Sequence, residues 1–278
     1  MKTLIACALG ALLGLSAPAQ AELTLSGTPF ERDSTEQNQN YTLLAAQLSQ
    51  FLGETVRYVP PVNIQGYAQA IRQGEYDILI DGPHFSAWRV AQGLHQPVAQ
   101  ADTALTYVVV VPTADTRTRS LEQLISQPVC VSPPPQLSTL MFLNQYPNPL
   151  QEPVMHMMEG YLPKIEKLLK GECRAAVLSA SFYEHKLDKV TQAGLRVIFN
   201  TRPLPGYVMT ASPKLSETKR ADLGKRLSTG NPAHDPLLQA LTKASVHNGE
   251  PEKLRWTAPN AEAIKGLDQL LIKQSYGW

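Results

Sequence analysis

The sequence predicts an α/β protein of two similar lobes, each a mostly parallel sheet flanked by helices. Three observations lead there. Short apolar runs such as Ile78-Leu79-Ile80 alternate with helix-like stretches, and runs too brief for helices read as strands buried on both faces. One unit occurs twice: Tyr67, Gly74-Glu75, Ile78–Ile80 and Phe85 are followed later by Tyr161, Gly171-Glu172, Ala175–Leu178 and Phe182, with equal glycine-to-phenylalanine spacing. Finally, Asp81-Gly82-Pro83 breaks the first of these strands abruptly. Ligands of open α/β sheets collect beyond the carboxyl ends of the strands, so the stretch from Asp81 to Trp88 is where function is sought.

In chain order, Leu23–Ser26 is a strand ending at Gly27-Thr28-Pro29-Phe30. Glu31–Asn40 is polar and reads as a loop, and Tyr41–Leu52 as an amphipathic helix stopped by Gly53. A strand at Thr55–Val59, a helix around Tyr67–Gln73 and the Ile78 strand complete β-α-β-α-β. That order implies a parallel sheet with right-handed crossovers. Ala104–Val111 is a β-branched run long enough to leave one lobe and enter the next.

The same order then restarts: strand Val129–Ser132, helix Leu137–Gln145, strand Val154–Met157, helix Tyr161–Lys170 and strand Ala175–Leu178. Leu195–Asn200 and Tyr207–Ala211 form the return crossing, and helices at Ser216–Leu227, Pro236–Ser245 and Ala261–Gln274 pack on the first lobe. The expected division is residues 22–107 for the first part of lobe 1, 108–204 for lobe 2, and 205–278 for the return to lobe 1.

Met1–Ala21 reads as a cleaved signal peptide. Lys2 supplies the positive start, Leu4–Leu15 the apolar run, and Ala19-Gln20-Ala21 the small-x-small cleavage site. The apolar run falls short of the roughly 20 residues that span a bilayer. Leu4-Ile5-Ala6-Cys7 has too few apolar residues before its cysteine to be a lipidation box. Export is the expectation. Lysine and arginine number 25 and aspartate and glutamate 24. Once Lys2 is removed the chain is formally neutral, which gives no support for nucleic acid or an anionic membrane as partner. Any anion must be held by local geometry. Cys130 and Cys173 remain, and two readings stand: a structural disulfide, which an oxidising compartment permits, or two separate buried thiols.

Pro133-Pro134-Pro135-Gln136-Leu137-Ser138-Thr139 joins a strand end to a helix start. Ser138 and Thr139 there either help hold an anion or simply cap the helix. His84 and Tyr67 are placed to offer a ring nitrogen and a hydroxyl to a ligand, whereas Trp88 reads as core. Asp81 either meets ligand or holds loop backbone. Met155-His156-Met157-Met158 has the donor types of a soft-metal site, but the alternation also fits a strand with sulfur on one face and imidazole on the other. No metal and no cofactor is expected. There is no Gly-x-Ser-x-Gly elbow, Walker loop or glycine-rich dinucleotide turn, so an enzyme is not expected.

The helix–GEYDILIDGPHFSAWR stretch, the TYVVVVP crossing, the strand–PPPQLST–helix loop and the RPLPGYVMTASPKLS return together resemble the phosphate/phosphite/phosphonate-type periplasmic solute-binding proteins. The resemblance covers most of the mature chain. It implies a type 2 periplasmic-binding fold, with two crossing strands as hinge and an anion clamped between the lobes. It also implies ligand contacts from Ser138 and Thr139 on one side and Tyr67, Gly82, Pro83 and His84 on the other. Asp81 and Gln136 lie in the same two loops and are carried as further ligand candidates. One departure stands out: a loop that is usually rich in serine, threonine and glycine here carries three prolines and Gln136, and proline has no N–H to donate. Iron-binding relatives are disfavoured because there is no adjacent tyrosine pair. The implied role is a monomeric binding protein that delivers a small oxyanion to a membrane ABC permease. A ligand-presenting sensor for a membrane receptor and a periplasmic enzyme on the same scaffold are the alternatives.

Overall fold

The computed structural model describes residues 22–29, 34–245, 254–274 and 278. The proposed signal peptide lies outside the described residues. Strand β1 (Leu23–Gly27), helix α1 (Ser34–Leu52), β2 (Val56–Tyr58), α2 (Ile64–Gln73), β3 (Ile78–Asp81), α3 (Pro83–Ala91) and β4 (Gln96–Ala101) build the first lobe. After β5 (Ala104–Leu105) the second lobe follows: β6 (Tyr107–Pro112), β7 (Pro128–Val131), α4 (Leu137–Leu143), β8 (Val154–Met157), α5 (Tyr161–Leu169), β9 (Ala175–Ser179), α6 (Ala180–His185), α7 (Lys189–Ala193) and β10 (Leu195–Asn200). The chain returns through β11 (Leu204–Pro205) and β12 (Val208–Ala211), then α8 (Glu217–Thr229), α9 (Pro236–Ser245), β13 (Trp256–Thr257), α10 (Ala261–Ile264) and α11 (Gln269–Ile272).

The first sheet runs β13-β4-β12-β3-β1-β2 and the second β10-β6-β9-β7-β8. In each, three consecutive strands are parallel, β2-β1-β3 and β8-β7-β9. Each sheet also accepts antiparallel strands: β12 enters between β3 and β4, and β6 pairs with β9 and β10. Between the sheets, β5 and β11 form a separate antiparallel pair that matches Leu105 with Leu204. Thr201 and Tyr107 add a reciprocal pair of bonds beside it: the Tyr107 N–H donates to Thr201 Oγ1 at 3.0 Å and the Thr201 N–H to the Tyr107 carbonyl at 2.9 Å.

The repeated glycine-glutamate has a physical cause. Gly74 and Gly171 both have φ in the left-handed region, +69° and +75°, which costs a glycine nothing. Each ends a helix with the same pair of bonds: the glycine N–H to the carbonyl three residues back (Ile71, Leu168), and the glutamate N–H to the carbonyl five back (Ala70, Lys167). This is the Schellman termination, and it sends the chain into β3 and β9 in the same way.

Several boundaries differ from expectation. The stretch read as loop up to Asn40 is helical from Ser34. Its polar first turns carry no apolar period, yet Gln37 is buried and its amide donates to the Thr28 carbonyl at 3.0 Å, so a hydrogen bond rather than apolar burial fixes that end. The long 104–111 run divides at Thr106 into β5 and β6. The single helix expected over 261–274 is two short ones separated by Gly266, whose φ is +80°.

One apolar cluster runs through both lobes, from Tyr67 and Phe85 to Leu137, Leu140 and Phe142, and on to Ile264, Leu267, Leu270 and Leu271. Helix α11 packs against both α3 and α4. Trp278 stacks edge-on to Trp88 at 4.9 Å and tilts over Phe85 at 5.5 Å.

Cys130 and Cys173 are joined as a disulfide, with Cα atoms 5.7 Å apart across a sequence separation of 43. This settles the choice left open by the sequence. The bond ties β7 to the loop that leads into β9. Replacing both cysteines with alanine is expected to cost ~2–4 kcal/mol of stability through the loosened unfolded chain, read as a lower urea midpoint with unchanged circular dichroism in the native state.

Candidate functional site

Strand β3 is buried along its whole length, so Asp81 at its tip is a carboxyl group shut off from solvent, 0 % exposed. A charge there survives only when paired and hydrogen-bonded. Arg89, itself only 1 % exposed, supplies a bidentate pair: Nη1 to Oδ2 at 2.6 Å and Nη2 to Oδ1 at 2.8 Å. Tyr67 donates its hydroxyl to Oδ2 at 2.8 Å and Ser86 its hydroxyl to Oδ1 at 2.7 Å. Burial, with the Asp81 charge beside it, holds the Tyr67 phenol well above its ordinary pKa and keeps it a donor. Arg89 also donates to Thr210 Oγ1 at 2.8 Å, reaching β12. The Thr210 oxygen lies 3.1 Å from His95 Nδ1, and His95 Nε2 lies 3.1 Å from the Tyr76 carbonyl. A carbonyl only accepts, so Nε2 carries the proton and Thr210 donates to Nδ1. The carboxylate of Asp81 is thus saturated by protein, and the Tyr67 hydroxyl is spent on it.

Gly82 and Pro83 make the turn from β3 into α3, with Gly82 at the N-cap and Pro83 at the first helical position, where a missing N–H costs nothing. A Cβ on Gly82 would fall 2.8 Å from the His84 ring, so glycine is the residue that admits the imidazole there. His84 is 2 % exposed and reaches across to the second lobe, its Nε2 lying 3.1 Å from the Pro135 carbonyl. Two more side chains cross the same seam. Gln65 Nε2 donates to the Pro134 carbonyl at 3.1 Å, and Gln136 Nε2 donates to the Pro29 carbonyl at 3.2 Å. The proline tract therefore faces the first lobe as a row of acceptors.

Behind that tract lies a polar floor. Ser132, just past β7, has its Oγ 3.3 Å from Ser138 Oγ and within hydrogen-bond reach of the Lys164 ammonium. Lys164 is 0 % exposed, on the same face of α5 as buried Ile165 and Leu168, and its nitrogen stands 4.8 Å over the Tyr161 ring. Thr139 donates its hydroxyl to the Ser132 carbonyl at 2.7 Å, so that proton ties α4 to β7. Neither Ser138 nor Thr139 is the cap residue; Gln136 occupies that position without a side-chain cap bond.

Of the residues singled out from sequence, His84 and Gln136 cross the seam and Gly82 lies beside Leu137 there; Pro83 opens α3, Ser138 belongs to the polar floor, and Tyr67, Asp81 and Thr139 are bonded to protein groups behind the seam. Arg89, Ser86, Ser132, Gln65 and Lys164 were not picked out. Lys164 was legible in principle: Tyr161, Lys164, Ile165 and Leu168 share one helical stripe, and a lysine inside such a stripe is a buried charge. Met155 packs into the core, whereas His156 and Met157 lie exposed on the edge strand β8. Among the described residues no group of three or more His, Cys, Asp or Glu is placed to hold a metal ion.

The two α/β lobes, linked by paired crossings and meeting over a seam of strand tips, are those of the two-lobed periplasmic binding proteins. Residues 28–253 match the family model for the ABC transporter, phosphonate, periplasmic substrate-binding protein. The chain belongs to that family. Its fold is similar to XAC2383 from Xanthomonas citri bound to chloride ion (TM-score 0.73, 14% identity, 91% of this chain and 98% of that one). It is also similar to PhnD1 from Prochlorococcus marinus in complex with methylphosphonate (TM-score 0.70, 16% identity, 91% and 97% coverage). A binding protein component of an ABC phosphonate transporter from Pseudomonas aeruginosa aligns as well (TM-score 0.67, 14% identity, 91% and 86% coverage). A comparison with curated protein sequences found no match. No helix among the described residues is long and apolar enough to cross a membrane.

Asp81→Ala strands the Arg89 guanidinium without its partner and is expected to cost ~3–5 kcal/mol, measured by denaturant unfolding. Burial also pushes both His84 and His95 down to about 4 from an ordinary 6.5. The unfolded chain therefore takes up protons that the folded chain refuses between those values, so stability is complete above pH 6.5 and is lost as pH falls toward 4. The melting temperature is expected to drop over that window, and less steeply in His95→Asn.

Proposed function

We propose that the protein captures a small oxyanion of the phosphonate or phosphite type between its lobes and delivers it to a membrane ABC permease. It does so as a monomer, without catalysis and without nucleic acid or a cofactor. The observation that carries this reading is the fully buried Lys164 ammonium beside the Ser132 and Ser138 hydroxyls. Three donors converging at a strand tip, in a chain with no basic field of its own, are what a compact anion needs. The first lobe supplies the other wall through Gly82, Pro83 and His84, and Gln136 bridges the two.

The β5–β11 pair is the natural pivot, since it joins the lobes by backbone outside either large sheet, and the Tyr107–Thr201 bonds brace it at the start of β6. Closure about them sequesters the ligand. Asp81, Tyr67 and Thr139 contribute by holding the strand tips in place. The mature chain acts in the periplasm after removal of residues 1–21.

Isothermal titration calorimetry with methylphosphonate, phosphite, phosphate and sulfate tests the reading. Lys164→Met is expected to weaken phosphonate binding about 10- to 100-fold, the value of a charge-assisted hydrogen bond, with native circular dichroism retained. Affinity equal to wild type in that variant would rule out the floor as the anion site.

A further inference from the structure

We propose that His84 Nδ1 accepts a proton carried by the ligand itself, so that the protein selects the monoprotonated form of a phosphonate and rejects a sulfonate of the same shape. This rests on the reading of the cleft as an oxyanion site and specifies which oxyanion it takes.

The tautomer follows from geometry. His84 Nε2 lies 3.1 Å from the Pro135 carbonyl, which can only accept, so the ring proton is on Nε2 and Nδ1 presents a lone pair. Burial, opposed by Asp81 and assisted by Arg89, pushes the ring down to about 4, so it is neutral at ordinary pH. Nδ1 is buried and has no hydrogen-bond partner among the described residues. The groups around the ring do not change this: the Phe85 ring lies 4.1 Å away, Arg89 is committed to Asp81 and Thr210, and Asp81 is saturated.

The Cε1–Nδ1 edge faces the bare Cα of Gly82, beside Leu137 of the other lobe. A Cβ on Gly82 would lie 2.9 Å from Nδ1 and 3.7 Å from Leu137 Cδ2 in the other lobe, and Leu137 adjoins Ser138. A second buried polar atom without a partner among the described residues, Thr28 Oγ1, is on the neighbouring strand tip, since Gly27 pairs with Ile80. Its own neighbour Pro29 receives the bond from Gln136. Both orphaned atoms therefore flank the bonds that cross the cleft. The second lobe offers donors to the ligand's charged oxygens, and the first lobe offers an acceptor. An oxygen without a proton would set lone pair against lone pair and leave the buried nitrogen unpaired. A P–OH group completes it. A sulfonate carries no proton in the neutral range and cannot.

The test titrates wild-type protein with methylphosphonate and with methanesulfonate across the second ionisation of methylphosphonate. Methanesulfonate serves as the ligand whose charge does not change, so the ratio of the two affinities cancels titration of the protein. The expected ratio is about 100-fold or more in favour of the phosphonate, within the range by which buried hydrogen-bonding groups reject a ligand lacking the partner. It should fall about tenfold per pH unit above that ionisation. His84→Leu should bring the two affinities within about tenfold of each other. Phosphonate binding whose ratio is flat or rises with pH overturns this inference alone, and does so even if the variant fails to fold. Absence of methylphosphonate binding at every pH overturns the oxyanion reading and this one with it.

Discussion

The Asp81–Arg89 ion pair is the constraint on which the meeting point of the lobes depends. Strand β3 ends in a charge with no access to water, and the geometry of the strand tip follows from where that charge finds donors. Tyr67 comes from α2, Ser86 and Arg89 from α3, and Thr210 from β12 through Arg89. One carboxylate thus fixes two helices and two strands relative to each other. A buried pair of this kind is not a source of stability over an apolar core of the same shape. Its use here is positional: it makes the turn at Gly82-Pro83 rigid, and that turn carries His84 to the other lobe.

Across the seam the arrangement inverts the usual roles of loop and side chain. A tract of prolines has few N–H groups to give a ligand, but its carbonyls remain, and Gln65 and His84 reach over to them. Gln136 answers in the opposite direction. Closure of the lobes is therefore written partly in protein–protein bonds. In the function proposed for the cleft, the ligand's donors come from behind the tract, from Ser132, Ser138 and Lys164. The shared apolar cluster and α11, which touches a helix of each lobe, add a non-directional contribution to the same contact.

Much of the architecture was legible because it rests on local rules. The equal spacing in the two halves reflects two identical helix endings, each needing a left-handed glycine. Abrupt apolar runs marked the strands, and Asp81-Gly82-Pro83 marked the tip where the lobes meet. Where local rules were silent, the reading went astray. The start of α1 has no apolar period, because Gln37 is fixed by a hydrogen bond to a distant carbonyl. The C-terminal helix breaks at Gly266, a residue whose effect depends on φ. Within the site, the sequence marks Asp81 at a strand tip and Tyr67 on the preceding helix as polar candidates, but not the hydrogen bond between them.

By itself, then, the sequence determined the class of fold, the duplication, the two loops that face each other and His84 as a member of one of them. All of these follow from periodicity and from breakers acting within a dozen or so residues. Only the tertiary structure decided which polar groups are spent and which remain. It paired Cys130 with Cys173, gave Asp81 to Arg89, placed Lys164 under Ser132, and left one nitrogen of His84 without a donor among the described residues. Hydrogen bonds and bidentate ion pairs form only at contact distance and in set directions, so their pairing depends on how segments far apart in the chain are brought together.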